Sequence, residues 1–351
     1  MLRVLVVDDS EVARRLLAAV LARDAGLEVV GEAANGDEAV RLAGRLQPDV
    51  ITMDIQMPGM DGLEATRHIM ERHPAPIVVV SGGYDPDDLA HSVRALDAGA
   101  LAALRKPPGP TDPGFAAEAA ELVRTVKLMA EVRVFRRRPA AAPDGATPAR
   151  PSANGTRPPA RRPAEVVAVG ASTGGPAALA TILRALPATT PVPVLVVQHI
   201  TPGFDAALAA WLDETMPLPV RLAADGQPVR PGEVVIAPAG SHLGLSGAGR
   251  IELHQGPPVD GHRPSATHLF ASVARVFGPR ALGVILTGMG SDGAAGLLEL
   301  RRAGGTALAQ DEASCVVAGM PAAAVAAGAV DQVVPLGELA ARIAAAWSPA
   351  C

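Results

Sequence analysis

The amino-acid sequence predicts two α/β domains, each built around a mainly parallel β-sheet. The chain has 351 residues, which is more than one hydrophobic core usually organises. Hydrophobic residues make up 49% of it and aromatic residues only 2%, so aliphatic side chains must build the cores. In both halves, short apolar runs alternate with amphipathic segments, which is typical of strand–helix–strand units.

The composition narrows the class of protein. A formal net charge of -5 gives no support for nucleic-acid binding. Cys315, in an apolar run, and Cys351, at the end, do not make a disulfide framework, which favours a reducing compartment. No apolar run is long enough to span a membrane, and Asp8 and Asp9 interrupt the first one before it could act as a signal sequence. We therefore expect a soluble, cytoplasmic protein without direct membrane insertion.

Residues 2 to about 130 predict an open parallel sheet with helices on both faces. Amphipathic patterns predict helices such as Glu11–Leu21 and Glu64–Glu71 between the strands. Five apolar runs predict the strands Leu2–Val7, Leu27–Gly31, Val50–Met53, Ile77–Val80 and Leu101–Leu104. In such sheets, functional sites lie at the carboxyl ends of the strands.

Polar residues follow four of these five strands. Asp8 and Asp9 follow the first strand, and Asp54 follows the third. Ser81 follows the fourth strand, and Lys106 comes just after the fifth. Three carboxylates at one edge repel one another unless a cation lies among them, and oxygen ligands of this kind suit Mg²⁺. Each residue alone could be a solvated strand end, but five at one edge favour a site for a metal and an anion.

Three segments of the first half resemble the response-regulator receiver family. They are V-V-D-D-S at 6–10, D-I-Q-M-P-G-M-D-G at 54–62 and R-K-P at 105–107. The resemblance covers residues 2 to about 128 and implies a flavodoxin-like, five-stranded parallel sheet. It implies that Asp54 is phosphorylated and holds Mg²⁺ together with Asp8 and Asp9. It also implies that Lys106 contacts the phosphoryl group and that Ser81 follows that group in the switch.

One position departs from the receiver pattern. Receivers usually carry an aromatic residue three positions before the lysine, and this chain has Ala103 there. Phosphorylation itself needs no side chain at that position, whereas the common readout through an aromatic rotamer does. The sequence therefore leaves open how this receiver transmits its phosphorylation state.

A segment rich in proline and arginine separates the two halves. Residues 136–163 contain seven Pro, seven Arg and one acidic residue, Asp144. Such a segment cannot bury enough apolar surface to offset the entropy of ordering, so we expect an exposed tether. It could contact an acidic surface or act only as a solvated spacer. The predicted parts of the chain are a receiver at 1–130, a linker at 131–163 and a second α/β domain at 164–351.

The second domain begins with a stretch that suits a nucleophile, V-V-A-V-G-A-S-T-G-G-P at Val166–Pro176. Its β-branched start predicts a buried strand, and Pro176 with the apolar pattern after it predicts the start of a helix. Between them lies G-x-S-x-G, centred on Ser172. The glycines allow a sharp turn that exposes the hydroxyl and leaves backbone N–H groups unpaired. A tight turn that merely needs glycine is the alternative.

The strand–helix rhythm continues to the end of the chain. Further apolar runs predict strands at Val192–Val197, Val234–Ala237, Leu282–Leu286 and Gly305–Ala309. Helical patterns lie at Phe204–Leu212, Leu269–Val276 and Ala294–Arg302. This order predicts a doubly wound, mainly parallel α/β domain.

Three predicted strand ends of this domain carry a serine, a histidine and an aspartate. Ser172, His199 and Asp292 are the nucleophile, base and orienting acid that acyl transfer needs. Taken singly, His199 could be a hydrogen-bonded residue at a strand end, and Asp292 a turn residue or helix cap. Their order along the chain excludes the α/β-hydrolases, in which the acid precedes the histidine.

Four further histidines raise the option of a metal site in this domain: His242, His254, His262 and His268. No pair of them has H-E-x-x-H spacing, and the cysteines are misplaced for a zinc site. We therefore expect no cofactor in the second domain.

The second half resembles the CheB family of chemotaxis protein-glutamate methylesterases. The segments that carry the resemblance are V-G-A-S-T-G-G-P at 169–176, Q-H at 198–199 followed by P-G-F at 202–204, G-H-R-P-S at 261–265, I-L-T-G-M-G-S-D-G at 285–293 and A-Q-D-E-A-S-C-V-V-A-G-M-P at 309–321. With the receiver and the linker, the resemblance covers nearly the whole chain. It implies Ser172 as nucleophile, His199 as general base and then acid, and Asp292 as the orienting carboxylate.

The reaction that this resemblance implies is phosphorylation-regulated hydrolysis of γ-glutamyl methyl esters on chemoreceptors, with deamidation of receptor glutamines as a second activity. Backbone N–H groups would hold the oxyanion, with Thr173 and Met289 as candidates. The implied partners are methyl-accepting chemoreceptors as substrates and a chemotaxis histidine kinase as phosphodonor. The resemblance also implies that the unphosphorylated receiver docks over the Ser172 cleft and that phosphorylation of Asp54 loosens this contact. We expect a monomer.

Two other functions remain open from the residues. The second half could be a non-catalytic, phosphorylation-dependent receptor adaptor, although the three strand-end residues disfavour this. It could also be a small-molecule serine esterase, because the sequence does not show what fits the cleft. A transcriptional regulator is disfavoured, since no compact helix-turn-helix pattern with a basic recognition helix follows residue 163.

Overall fold

The computed structural model describes residues 1–82, 86–132, 134 and 162–347, and at 86–89 the backbone alone. Most of the predicted linker at 131–163 lies outside the described residues. The proposed boundaries of the linker therefore remain predictions. Within the described part of the chain, no helix is both long enough and apolar enough to cross a membrane.

The first domain is a five-stranded parallel sheet with helices on both faces, as predicted. Its strands are β1 (Leu2–Val7), β2 (Leu27–Ala33), β3 (Val50–Met53), β4 (Ile77–Ser81) and β5 (Ala102–Arg105), in the order β2-β1-β3-β4-β5. Its helices are α1 (Glu11–Leu21), α2 (Gly36–Leu46), α3 (Gly62–Arg72), α4 (Pro86–Ala98) and α5 (Phe115–Ala130). β5 begins and ends one residue later than predicted, so Lys106 follows it directly.

Local signals explain where these elements begin. Residues 4–7 of β1 are fully buried because helices cover both faces of the sheet. Helix α1 begins after Ser10, whose hydroxyl accepts from the Ala13 N–H (3.3 Å), and α3 begins after Asp61 in the same way. These caps place the polar loops Asp8–Ser10 and Asp54–Asp61 at one edge of the sheet.

The second domain contains a seven-stranded sheet whose strands are all parallel, which confirms the predicted doubly wound fold. In the order β14-β13-β12-β6-β7-β9-β8, the sheet comprises β6 (Val166–Ala171), β7 (Val194–Gln198), β8 (Val220–Leu222), β9 (Val234–Ile236), β12 (Ala281–Ile285), β13 (Thr306–Gln310) and β14 (Gln332–Val334). A separate antiparallel hairpin, β10 (His242–Leu245) and β11 (Ile251–His254), is an addition that the sequence patterns did not reveal.

Helices cover this sheet on both sides. They are α6 (Gly175–Ala185), α7 (Phe204–Thr215), α8 (Ala266–Phe277), α9 (Ala294–Arg302), α10 (Gly319–Ala326) and α11 (Leu336–Trp347). Because β6, β7 and β12 are neighbours in the middle of the sheet, the residues after their carboxyl ends lie side by side.

The two domains pack directly against each other. Helix α4 contacts α6 and α7, and one hydrophobic cluster contains buried residues of both domains. Two hydrogen bonds join β5 to the loop after β7. Arg105 Nη2 donates to the Pro202 carbonyl (2.8 Å), and Thr201 Oγ1 donates to the Ala103 carbonyl (3.1 Å). The carboxyl ends of the second sheet therefore face the first domain.

Candidate functional site

Ser172 lies at the turn between β6 and α6. Its N–H donates to the Thr287 carbonyl (3.0 Å), and its own carbonyl accepts from the Gly175 N–H (2.8 Å). Gly174 has a φ of 75°, and a Cβ there would lie 2.6 Å from the Val316 side chain, so this turn requires glycine. The sharp turn expected from G-x-S-x-G is present, and it places Ser172 on the wall of a cavity between the domains.

His199 and Asp292 form a hydrogen-bonded pair. His199 follows β7 directly, and Asp292 lies between β12 and α9. Nε2 of His199 is 2.8 Å from Oδ2 of Asp292. Because a carboxylate accepts but does not donate, Nε2 carries a proton in this contact. Nδ1 of His199 is buried and has no hydrogen-bond partner among the described residues, so it is the nitrogen that can take up a proton.

Asp292 is held by donors besides His199. They are the Ser265 hydroxyl (2.7 Å), the Ala266 N–H (2.7 Å) and the Thr267 N–H (3.0 Å), at the start of α8. Burial raises the pKa of Asp292, but the hydrogen bonds from His199, Ser265 and Thr267 outweigh burial and lower it to about 2. The carboxylate is therefore charged at neutral pH, and its orientation is fixed.

The interdomain cavity brings the three predicted residues to one place. Its volume is about 510 Å³; Ser172 and His199 line it, and Asp292 lies behind His199. Within the described part of the chain, no hydrogen bond joins the Ser172 hydroxyl to His199. The cavity thus holds a hydrogen-bonded histidine–aspartate pair and a serine hydroxyl that is not bonded to this histidine.

Thr173 and Met289, the candidate oxyanion donors, lie beside Ser172 on the same wall. Neither backbone N–H donates to another group in the ranges that the structure describes. A Cβ at Gly288 would lie 2.7 Å from the Cβ of Ser172, so the loop that carries Met289 packs against Ser172. Both N–H groups are consequently near Ser172 and unused.

The predicted acidic site of the first domain is assembled at the ends of β1 and β3. The carboxylates of Asp8, Asp9 and Asp54 lie within 4.8 Å of one another, which suits one metal ion with oxygen ligands. Lys106 Nζ is 2.7 Å from Asp54 and 2.8 Å from Asp8. Ser81 is buried beside them, and its carbonyl accepts from the Lys106 N–H (2.8 Å).

Charge and burial act against each other at Asp54. Burial raises the pKa of Asp54 to about 6, the nearby Asp8 adds to the increase, and Lys106 opposes it. For Lys106, burial disfavours the ammonium, but Asp54 and Asp8 outweigh burial and raise its pKa. The lysine therefore stays positively charged between the two acids.

The first domain forms one wall of the cavity that Ser172 lines. Its contribution comes from α4, β5 and α5, through apolar side chains such as Leu96, Leu104 and Leu128. Ala103, the position where receivers usually have an aromatic residue, is part of this wall. Access to Ser172 is therefore restricted while the domains are packed in this way.

Sequence reasoning gave no role to two glutamines that brace the site. Gln198 Nε2 donates to the carbonyls of both Ser172 and His199, each at 2.8 Å. Gln310 Oε1 accepts from the Thr287 N–H (2.9 Å). Each is a buried polar residue that ends an apolar strand, β7 or β13, and that position was the available signal.

The histidines that raised a metal option fall into two groups. His262 stacks on His199, with ring centroids 4.0 Å apart. His268 lies against His242 and His254, with centroids 4.8 and 5.5 Å away. Of the described residues, His199, His262 and Asp292 bring potential ligand atoms within 4.8 Å of one another, whereas the second group makes no such cluster.

Two family models match the chain. The CheB methylesterase model matches residues 167–343, and the response regulator receiver domain model matches residues 4–112. Together they follow the two α/β domains in order, and the first of them alone spans half of the chain.

Curated relatives match along almost the full length. The chain is 54% identical over 349 residues to protein-glutamate methylesterase/protein-glutamine glutaminase 4 of Myxococcus xanthus, covering 99% of this chain and 97% of that one. It is 51% identical over 349 residues to the enzyme numbered 3 in Anaeromyxobacter dehalogenans, covering 98% of each. Among solved structures, the CheB methylesterase catalytic domain of Thermotoga maritima is 39% identical, with a TM-score of 0.50, and the match covers 51% of this chain and 97% of that one.

Proposed function

The chain belongs to the CheB methylesterase family, and from that premise we propose that it hydrolyses γ-glutamyl methyl esters of chemoreceptors under the control of its receiver domain. One observation carries the proposal. The hydrogen-bonded His199–Asp292 pair lies at the same cavity as Ser172, which occupies a sharp strand-to-helix turn. That arrangement supplies a nucleophile, a base and an orienting acid for acyl transfer.

Acylation begins with attack of the Ser172 hydroxyl on the ester carbonyl. Nδ1 of His199 takes the hydroxyl proton, because Nε2 is committed to Asp292. The charged Asp292 stabilises the imidazolium that forms. Backbone N–H groups of Thr173 and Met289 hold the oxyanion, and both are free of other acceptors within the described ranges.

The intermediate collapses when His199 returns its proton to the departing oxygen, so that methanol leaves as a neutral molecule. Water then attacks the acyl-enzyme, with His199 again as base, and releases the glutamate carboxylate. A glutamine side chain presents the same carbonyl with ammonia as leaving group. Receptor glutamine deamidation is thus the second activity of the same site.

The donor set at the sheet edge of the receiver fits Mg²⁺, which would be held by Asp8, Asp9 and Asp54. The ion supplies positive charge that offsets the negative charge of the phosphoryl group. Asp54 accepts that group from a chemotaxis histidine kinase. Lys106 exchanges its present ion pair with Asp54 for a phosphoryl oxygen, and Ser81 moves with it.

Control passes through β5, because its interdomain hydrogen bonds, at Ala103 and Arg105, lie shortly before Lys106 in the chain. Arg105 is paired with Ser81 in the sheet and precedes Lys106 in the chain, so it is adjacent to both switch residues. Its guanidinium holds the Pro202 carbonyl, three residues after His199. When Lys106 moves, the Arg105 contact weakens and the receiver releases the cleft. This route needs no aromatic side chain at Ala103.

Release of methanol from methylated receptor membranes, measured with and without a phosphodonor, tests the proposal. Methanol formation that rises with the phosphodonor and is absent with Ser172→Ala supports it. Binding to receptors without methanol would indicate an adaptor, and hydrolysis of soluble esters alone would indicate a small-molecule esterase. We further propose that the protein acts as a cytoplasmic monomer and binds no nucleic acid.

A further inference from the structure

His262 belongs to the segment G-H-R-P-S, and the reaction as proposed leaves it without a role. Its ring lies parallel to that of His199, with an interplanar angle of 2° and centroids 4.0 Å apart. It also lines the cavity that contains Ser172. The imidazole that serves as base is therefore stacked on a second imidazole.

The protonation of His262 follows from its partner. Nδ1 of His262 is 2.8 Å from the Asp260 carbonyl oxygen, which can only accept, so Nδ1 carries the proton. Burial and the neighbouring His199 lower the pKa of His262. The ring that faces His199 is consequently neutral, also when His199 gains a proton during the reaction.

The segment that carries His262 also holds the acid. Asp260 and Gly261 have positive φ values of 50° and 80°, and Ser265 donates to Asp292 at 2.7 Å. One stretch of backbone therefore fixes the plane of the base and the orientation of its carboxylate. A metal shared by His199 and His262 is disfavoured, because the in-plane lone pairs of two stacked rings lie in separate parallel planes and cannot meet at one ion.

From this geometry we infer that His262 is a positioning residue, which holds the ring of His199 so that Nδ1 faces Ser172 and presents a neutral aromatic face to the imidazolium. The inference rests on the proposed esterase function. An aromatic face beside a desolvated cation stabilises the charge that develops in both transition states.

Three variants of the full chain test this role: His262→Phe, His262→Leu and His262→Ala. Methanol release from methylated receptor membranes is followed in the presence of a phosphodonor, and kcat and KM are determined separately. Leucine and alanine are expected to lower kcat about thirtyfold, because both remove the aromatic face, with KM changed by less than about twofold. Phenylalanine keeps the face and should retain kcat within about threefold of the wild type.

The comparison of phenylalanine with leucine is decisive, since both fill the space and exclude water. Equal kcat values for these two variants, or a loss confined to KM, would overturn the inference. Thermal unfolding by circular dichroism identifies a variant that has lost its fold, and His262→Phe and His262→Leu decide if His262→Ala does not fold. A wild-type chain without methanol release refutes the proposed function itself, whereas an active chain with an unaffected leucine variant refutes only the role of His262.

Discussion

Asp54 and Asp292 are both buried aspartates near the carboxyl end of a central parallel strand, yet their pKa values move in opposite directions. The pKa of Asp54 is raised to about 6, and that of Asp292 is lowered to about 2. Burial raises both values, so burial does not explain the difference. The number and kind of donors around each carboxylate does.

Asp292 uses its oxygens fully. It accepts from His199, Ser265 and two backbone N–H groups of α8. Asp54 accepts from the Ile55 N–H and Lys106 and lies beside the like charge of Asp8. Each oxygen of Asp292, the proposed orienting carboxylate, thus takes part in two hydrogen bonds. Each oxygen of Asp54, the proposed phosphoryl acceptor, accepts one from the described residues and keeps capacity for an incoming group. We expect the effects of substitution to separate along the same line.

The largest effect is expected for Ser172→Ala, which removes the proposed nucleophile. Methanol release from methylated receptors should fall by a factor of about 10⁴ or more, since little beyond oxyanion binding remains. Thr181→Ala, on the exposed side of α6, is the control and should leave the rate unchanged. Phosphorylation of Asp54, followed with a radiolabelled donor, should be unaffected. Normal methanol release by Ser172→Ala would show that Ser172 is not the nucleophile.

Removal of residues 1–135 tests whether the receiver restrains the esterase site. Without the wall formed by α4, β5 and α5, basal receptor demethylation should rise about tenfold or more, because the accessible state no longer competes with a covered one. The measurement is methanol release without a phosphodonor, compared with the full chain. Equal rates would contradict autoinhibition.

Asp54→Asn should abolish control of the esterase site by the receiver without lowering the basal esterase rate. Asparagine cannot accept a phosphoryl group, so stimulation by a phosphodonor should fall to a ratio of about one, with the basal rate retained. Asp37→Asn, exposed in the first turn of α2, is the matched control and should keep full stimulation. Persistent stimulation in Asp54→Asn would place the acceptor elsewhere.

Arg105→Met tests whether Arg105 transmits the phosphorylation state of Asp54 to the esterase site that contains Asp292. The variant keeps the aliphatic bulk and loses the hydrogen bond to Pro202, so basal receptor demethylation should rise about fivefold. Arg94→Met is the control, because its ion pair with Glu214 spans 3.8 Å between exposed side chains and contributes little. A basal rate that rises equally in both variants would show general loosening of the interface and no specific role for Arg105.

The smallest effects concern stability and pH. The pKa of Asp292 is lowered, so its contribution is complete above about pH 4 and is lost as the pH falls from about 4 towards 2. The pKa of Asp54 is raised, so its charge costs stability, and the cost grows as the pH rises from about 4 to 6.

Urea unfolding in magnesium-free buffer at pH 4.5 and pH 7 checks both signs. From pH 4.5 to pH 7, the free energy of unfolding of Asp54→Asn should increase by about 2 kcal/mol relative to that of the wild type. The loss in free energy of unfolding caused by Asp292→Asn should be the same at both pH values. A cost of Asp292→Asn that changes across this interval would contradict the assigned difference between the two carboxylates.

Much of the fold, and many of the residues that come together at the candidate sites, could be predicted, because polar residues that end apolar runs mark the strand ends. Asp8, Asp54 and His199 were found in this way. Asp292 lies seven residues after the end of β12, so spacing alone could not tell it from a helix cap. Its proximity to His199 depends on the start of α8, where Ser265, Ala266 and Thr267 supply three of its donors.

Other features depend on contacts between distant segments and left no periodic signal. The hairpin of β10 and β11 consists of two four-residue strands outside the main sheet. The bond from Arg105 to Pro202 joins residues 97 positions apart in different domains. The stacking of His262 on His199 could not be predicted from the sequence, although the motif around His262 was evident.

The modest size of the space above Ser172 has a consequence for the choice of substrate. A receptor helix with its side chains is about 10–12 Å across. This is too wide for the interdomain cavity of about 510 Å³, which α4, β5 and α5 cover on one side. A free methyl ester of a few atoms is small enough to enter. The docked receiver would then exclude large substrates and still admit small ones. Small esters would be cleaved at similar rates in the phosphorylated and unphosphorylated states, and only the cleavage of protein substrates would depend on the kinase.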